Sequence, residues 1–179
     1  MDSSNQLRMM VYASLFAALT AIGAFLAVPI GPVPIVLQNM FVYLAGLLMG
    51  SRWGLASVGV YLLAGACGLP VFAGGLGGIG RIVGPTGGYL IGYLPAVYII
   101  GKISARTHQG AVYDVLAMIC ATVVLYACGV SWLKIVTGMT PAKALAVGMA
   151  PFLVGDALKI AAAAAIAKTL RPVMRAQGP

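Results

Sequence analysis

The chain has 179 residues, 61% of them hydrophobic and only 8% charged, with a mean hydropathy of +1.02. Soluble domains carry about 25% charged residues, so a water-facing globule is excluded and the solvent for most of this surface is lipid. The formal charge of +8 does not point to nucleic acid, because the basic residues stand singly at the ends of apolar runs, as the positive-inside rule expects.

Six spans are predicted in order, each near the ~20 residues that cross a hydrocarbon core of about 30 Å. The first covers 9–28, lacks an A-x-A cleavage site and so does not read as a cleaved signal. It ends in a proline-rich turn, Pro29-Ile30-Gly31-Pro32-Val33-Pro34. The second covers 35–50 and is closed by Ser51-Arg52; the third covers 53–69, with Trp53 as an interfacial anchor. A glycine-rich stretch follows at 69–93, LPVFAGGLGGIGRIVGPTGGYLIGY. The remaining spans cover 86–103, 112–136 and 151–170. The expected fold is a single all-α membrane domain over 1–179, a bundle of six transmembrane helices.

Basic residues at alternate ends of the spans set the orientation. One side holds seven (Arg8, Arg52, Lys102, Arg106, Lys168, Arg171, Arg175) and the other three (Arg81, Lys134, Lys143). Both termini are therefore expected in the cytoplasm. The proline turn and the glycine-rich stretch then face outward.

The strongest polar signal inside a span is Asp156 with Lys159 in PFLVGDALKI. At i,i+3 they share a helix face, and each costs roughly 2.5–3.5 kcal/mol at the centre of a membrane helix. With Pro151 in the first turn, Asp156 falls about a turn and a half in, near the outer side. Mutual neutralisation is the plain alternative; ligand binding is the functional one. Arg81 is either a solvated loop charge or a planar fork for a carboxylate. Gln38 and Asn39 are amides in an apolar run, able to serve a ligand or a neighbouring helix. Tyr89 and Tyr93 read as packing or interfacial aromatics, with a ligand contact as the lesser option.

Other patterns exclude more than they assign. Gly75 to Gly80 matches G-x-G-x-x-G but lacks the strand, helix and downstream acid of a dinucleotide site. No P-loop occurs, so any ATP hydrolysis behind this protein belongs to another chain. Gly84, Gly88 and Gly92 recur every four residues, a spacing for close helix packing. Ala13, Ala17 and Ala21 do the same, and spacing does not choose between the bundle interior and a partner's helix. Cys67, Cys120 and Cys128 lie in apolar runs as small packing residues. One histidine (His108) and three acids (Asp2, Asp114, Asp156) assemble no metal-ligand cluster.

Taken together, IGPVPIVLQNM, GLPVFAGGLGGIGRIVGPTGGYLIGY and PFLVGDALKI resemble the BioY family, the biotin-binding S components of energy-coupling factor (ECF) transporters. The resemblance implies a high-affinity receptor in the bacterial cytoplasmic membrane, without catalytic residues or a resident cofactor. It implies a pocket near the outer face under extracellular loops, and partnership with a transmembrane coupling subunit and two ABC-type ATPases. Asp156 and Lys159 match the polar pair lining the pocket, while Ala13 and Ala17 match the A-x-x-x-A element shown to the coupling subunit. Arg81, Gln38 and Tyr89 match motif positions. In this picture Asp156 accepts from the ureido nitrogens, Lys159 donates to the ureido oxygen, and Arg81 or an outward lysine holds the tail carboxylate. Phe72, Ile79, Tyr89 and Phe152 supply an apolar wall. Two rival readings are a self-sufficient channel or facilitator with a re-entrant glycine segment, and an intramembrane enzyme using Asp156 and Lys159. The second is poorly supplied with carboxylates and nucleophiles.

Overall fold

The computed structural model describes residues 3–29, 31–106 and 110–176; Asp2 and His108 lie outside them. In lipid every backbone N–H and C=O must be satisfied within the protein, which drives apolar runs into helices. The long ones are α1 (Ser3–Phe25), α2 (Gln38–Ala66), α4 (Gly87–Arg106), α5 (Ala111–Thr137) and α7 (Leu153–Ala176). Between them lie two short helices, α3 (Ile79–Val83) and α6 (Pro141–Gly148), and a 3₁₀ turn, Ala150–Phe152. Five helical stretches among the described residues are long and apolar enough to cross a membrane.

The second of these stretches is two rods, because Gly50 adopts φ 75° and ψ −177°. Glycine alone enters that backbone region freely, so the chain reverses there and the helix resumes at once. The reversal is visible in a hydrogen bond. Gln38 Nε2 donates to Tyr61 OH at 2.8 Å, although 23 residues of straight helix would separate them by about 34 Å. The arms 38–49 and 51–66 thus lie side by side, and the expected break between the second and third spans falls at Gly50 with almost no loop. Gly101 of α4 sits against this reversal, where a Cβ would come within 2.2 Å of Ser51 N.

The connections at the other end are more structured than expected. The proline-rich turn is framed by a two-stranded antiparallel ribbon, β1 (Ala27–Val28) with β2 (Ile35–Val36). The glycine-rich stretch divides near Pro85: a loop and α3 come first, and α4 begins at Gly87. Trp132 Nε1 donates to Gly84 O at 3.0 Å and ties that junction to α5. Gly88 and Gly92 pack α4 on α5, as their spacing predicts; a Cβ on Gly88 would lie 2.3 Å from Trp132 Cβ. Helix α6 was not foreseen. Thr140 caps it, accepting from Lys143 N at 3.4 Å, with Pro141 in the first turn.

α4 packs between α2 and α5, α1 lies on α2, and α7 rests mainly on α2. Ala96, Val97 and Ile100 of α4 and Met118 and Ala121 of α5 are fully buried, whereas Val11, Ile22, Val123 and Leu158 are exposed. The exposed set is the face such a bundle offers to lipid.

The end of the bundle at Gly50 is locked by an ion pair. Arg171 Nη1 donates to Asp114 Oδ2 at 2.6 Å and Nη2 to Oδ1 at 2.8 Å. Nη2 also reaches Ser104 Oγ at 2.9 Å and Leu47 O at 3.4 Å, and Ser104 Oγ donates to Asp114 Oδ1 at 3.1 Å. Arg171, which the orientation count placed just past the end of the sixth span, is therefore a buried charge that joins α7 to α2, α4 and α5. Without it that side keeps six basic residues against three, so the asymmetry keeps its sign. Asp114→Leu or Arg171→Met alone leaves a buried charge unpaired and is expected to cost about 3–5 kcal/mol. The double variant should lose less than either single one, as read by thermal unfolding in detergent.

Candidate ligand-binding site

A cavity of about 360 Å³ lies at the opposite end, beneath the β1–β2 ribbon and the loop that carries Phe72 to Leu76. α2 contributes Gln38 and Asn39, α4 Tyr89 and Tyr93, α5 Tyr126, and α7 Asp156 and Lys159. Its polar floor centres on Asp156, only 5% exposed. Asp156 Oδ1 accepts from Asn39 Nδ2 at 2.7 Å and from Lys159 Nζ at 3.0 Å, while Oδ2 accepts from Tyr126 OH at 2.5 Å. A carboxylate has about four acceptor sites, so one remains for a ligand. Lys159 has N–H groups beyond the one directed at Asp156. The expected acid–base pair is thus present, held by an amide and a phenol from two other helices.

One turn or more deeper, buried side chains occupy the centre of the bundle, beside a second cavity of about 500 Å³ lined mainly by α5 and α7. Tyr43 OH and Thr122 Oγ1 meet at 2.7 Å. Since Thr122 Oγ1 donates to Met118 O at 2.7 Å, Tyr43 is the donor of that pair. Tyr43, Val97 and Met118 are fully buried below the cavity.

The remaining expected site residues take distinct places. Phe72 is 2% exposed, lines the cavity and meets Tyr61 edge-on with ring centroids 5.6 Å apart. Gln38 lines the cavity while its amide nitrogen holds Tyr61. Arg81, exposed on α3, also lines the cavity. Tyr89 presents a wall, but its hydroxyl donates to Gly148 O at 2.6 Å. Phe152 also lines the cavity. Ile79 does not belong to the expected wall: it is 70% exposed, because the short α3 turns it away.

Ala13 and Ala17 are buried at 4% and 7% exposure, so α1 turns this pair into the bundle core. In the middle of α1 the small residues left outside are Ser14 and Ala18, one position further round the helix. Tyr126 was not among the expected ligand residues, and Asn39 stood open between a ligand and a neighbouring helix. Asn39 was visible as an amide beside Gln38; a tyrosine in an apolar helix gives no such signal.

The Tyr89 ring needs room from two glycines. A Cβ on Gly129 would lie 2.2 Å from the ring, and one on Gly148 would lie 2.5 Å from its hydroxyl. Gly148→Ala is therefore expected to destabilise the protein by about 1–3 kcal/mol. In a Tyr89→Phe background the additional loss should be smaller, because the clashing oxygen is gone. Thermal unfolding of the four variants of this cycle measures the difference.

A cavity with apolar walls and a few converging polar groups, set in a bundle of membrane-type helices, defines a membrane protein that holds a small molecule. The chain belongs to the BioY family, whose model matches residues 1–176. A probable biotin transporter BioY from Pyrococcus horikoshii is 42% identical over 158 residues, covering 88% of this chain and 93% of that one. The biotin transporter BioY of Thermotoga maritima is 38% identical, covering 92% and 96%. A crystal structure of the S-component for biotin from an ECF-type ABC transporter superposes with a TM-score of 0.90 at 30% identity, covering 96% of this chain and 95% of that one. The family and the apolar helices together make this a multi-pass membrane protein.

Proposed function

We propose that this chain is the biotin-binding membrane subunit of an ECF-type uptake transporter. The observation that carries the reading is the cage around Asp156. A cyclic urea offers two N–H donors and one carbonyl acceptor. The cage offers an open acceptor site on Asp156 and spare donors on Lys159. Phe72, Tyr89 and Phe152 give the fused rings and tail an apolar wall, and Arg81 on the cavity lining suits the tail carboxylate. The cavity volume of about 360 Å³ falls in the range of small-ligand sites, roughly 300–1,000 Å³. A facilitator is not favoured, since the fully buried side chains of Tyr43, Val97 and Met118 occupy the centre of the bundle below the cavity.

In this reading the bundle crosses a cytoplasmic membrane six times, the two arms of α2 counting separately, with both termini inside. The cavity then faces outward, and separate ATPase subunits supply the energy through a coupling subunit. The partner surface on α1 is the face with Ser14 and Ala18 rather than Ala13 and Ala17.

Purification from cells grown with biotin should yield the vitamin by mass spectrometry at about one per chain; a different vitamin at that occupancy would overturn the ligand assignment. Asp156→Asn and Lys159→Ala should each weaken labelled-biotin retention on the order of 100-fold or more, since each leaves a buried charge without its partner. Wild-type retention by both would remove this site. Ala18→Trp should leave binding by the purified chain intact and abolish uptake in cells that hold the coupling module. Normal uptake would remove α1's outer face as the docking surface.

A further inference from the structure

Asn39 is the second residue of α2 and 5% exposed. Its side chain lines the cavity, and its Nδ2 donates to Asp156 Oδ1. A carboxylate can only accept, so the amide must turn its NH₂ toward Asp156; the reverse orientation would set two acceptors against each other. The other end of the amide, Oδ1, is buried and has no hydrogen-bond partner among the described residues. An unpaired buried carbonyl is unfavourable and is relieved only by a donor. Tyr43, one turn on, does not supply it, because its proton goes to Thr122.

We infer that Asn39 is a specificity-determining residue whose Oδ1 accepts one particular N–H of the ligand. The inference rests on the reading of the cavity as a biotin site and assigns the two ureido N–H groups to different acceptors. One meets Asn39 Oδ1 and the other the open site of Asp156, with the urea carbonyl toward Lys159. Asp156 fixes the amide's direction, and so fixes that Asn39 selects a donor rather than an acceptor. Asn39 is thereby a reader of ligand chemistry that the Asp156–Lys159 pair alone does not provide.

The test compares biotin with its two isosteres in which one ureido N–H is replaced by oxygen, a change that removes a donor without adding bulk. A site built to pair a buried donor rejects the analogue lacking it, here by a loss on the order of 100-fold or more. The wild-type protein should reject both isosteres. In Asn39→Ser and Asn39→Leu the penalty for one isostere should collapse toward unity while that for the other persists. A merely structural amide would lower the affinity for all three ligands in parallel and leave both ratios unchanged, which overturns the inference. So does a wild-type protein that binds either isostere as tightly as biotin, a result that needs no variant to fold. Failure of the wild-type protein to bind biotin at all would instead remove the biotin reading itself.

Discussion

A charge inside a lipid-facing bundle has no water to return to, so it must be hydrogen-bonded by the protein around it. Two of the three acids in this chain, Asp114 and Asp156, are buried, and they sit near opposite ends of the bundle. Asp114 is met by the two arms of Arg171 and by Ser104. Asp156 is met by Asn39, Lys159 and Tyr126. Each draws on several helices, so the two carboxylates tie α2, α5 and α7 together twice. The cages differ in one respect: that of Asp114 is turned into packed protein, while that of Asp156 opens on a cavity beside an amide oxygen without a partner. The same requirement thus builds a lock at one end and a receptor at the other.

Glycine lets the surrounding helices come close enough to complete these cages. The reversal at Gly50 lays one arm of α2 beside the other, which brings Tyr61 to Gln38 and seats Phe72 against Tyr61. Gly129 and Gly148 leave a slot for Tyr89, whose hydroxyl holds the corner from which α7 starts. Asp156 lies in the first turn of that helix. The polar floor is therefore supported from behind before any ligand arrives, and preorganisation of this kind lowers the ordering cost of binding.

Part of the site was legible along the chain. The Asp156–Lys159 pair is visible because i,i+3 is a local relation that any helix enforces. Asn39 lies 117 residues from Asp156, and no local pattern joins them. The pairing of Arg171 with Asp114 was not foreseen for a related reason: the two stand 57 residues apart. Ala13 and Ala17 show the same limit, since spacing defines a face of α1 but not the direction in which that face turns. Ile79 was expected at the wall because the short α3 around it was not foreseen.

What the sequence determined by itself was the class of environment, the apolar stretches, a break between the second and third spans close to Ser51-Arg52 and the identity of one polar pair. Hydropathy, backbone satisfaction and helix spacing are properties of neighbouring residues, and lipid makes them stringent. Only the tertiary structure decided which buried groups meet: Asn39 and Tyr126 on Asp156, Arg171 on Asp114, Tyr89 on Gly148. Those meetings depend on the rotation and depth of each helix against the others, which packing of the whole bundle sets and no single stretch encodes.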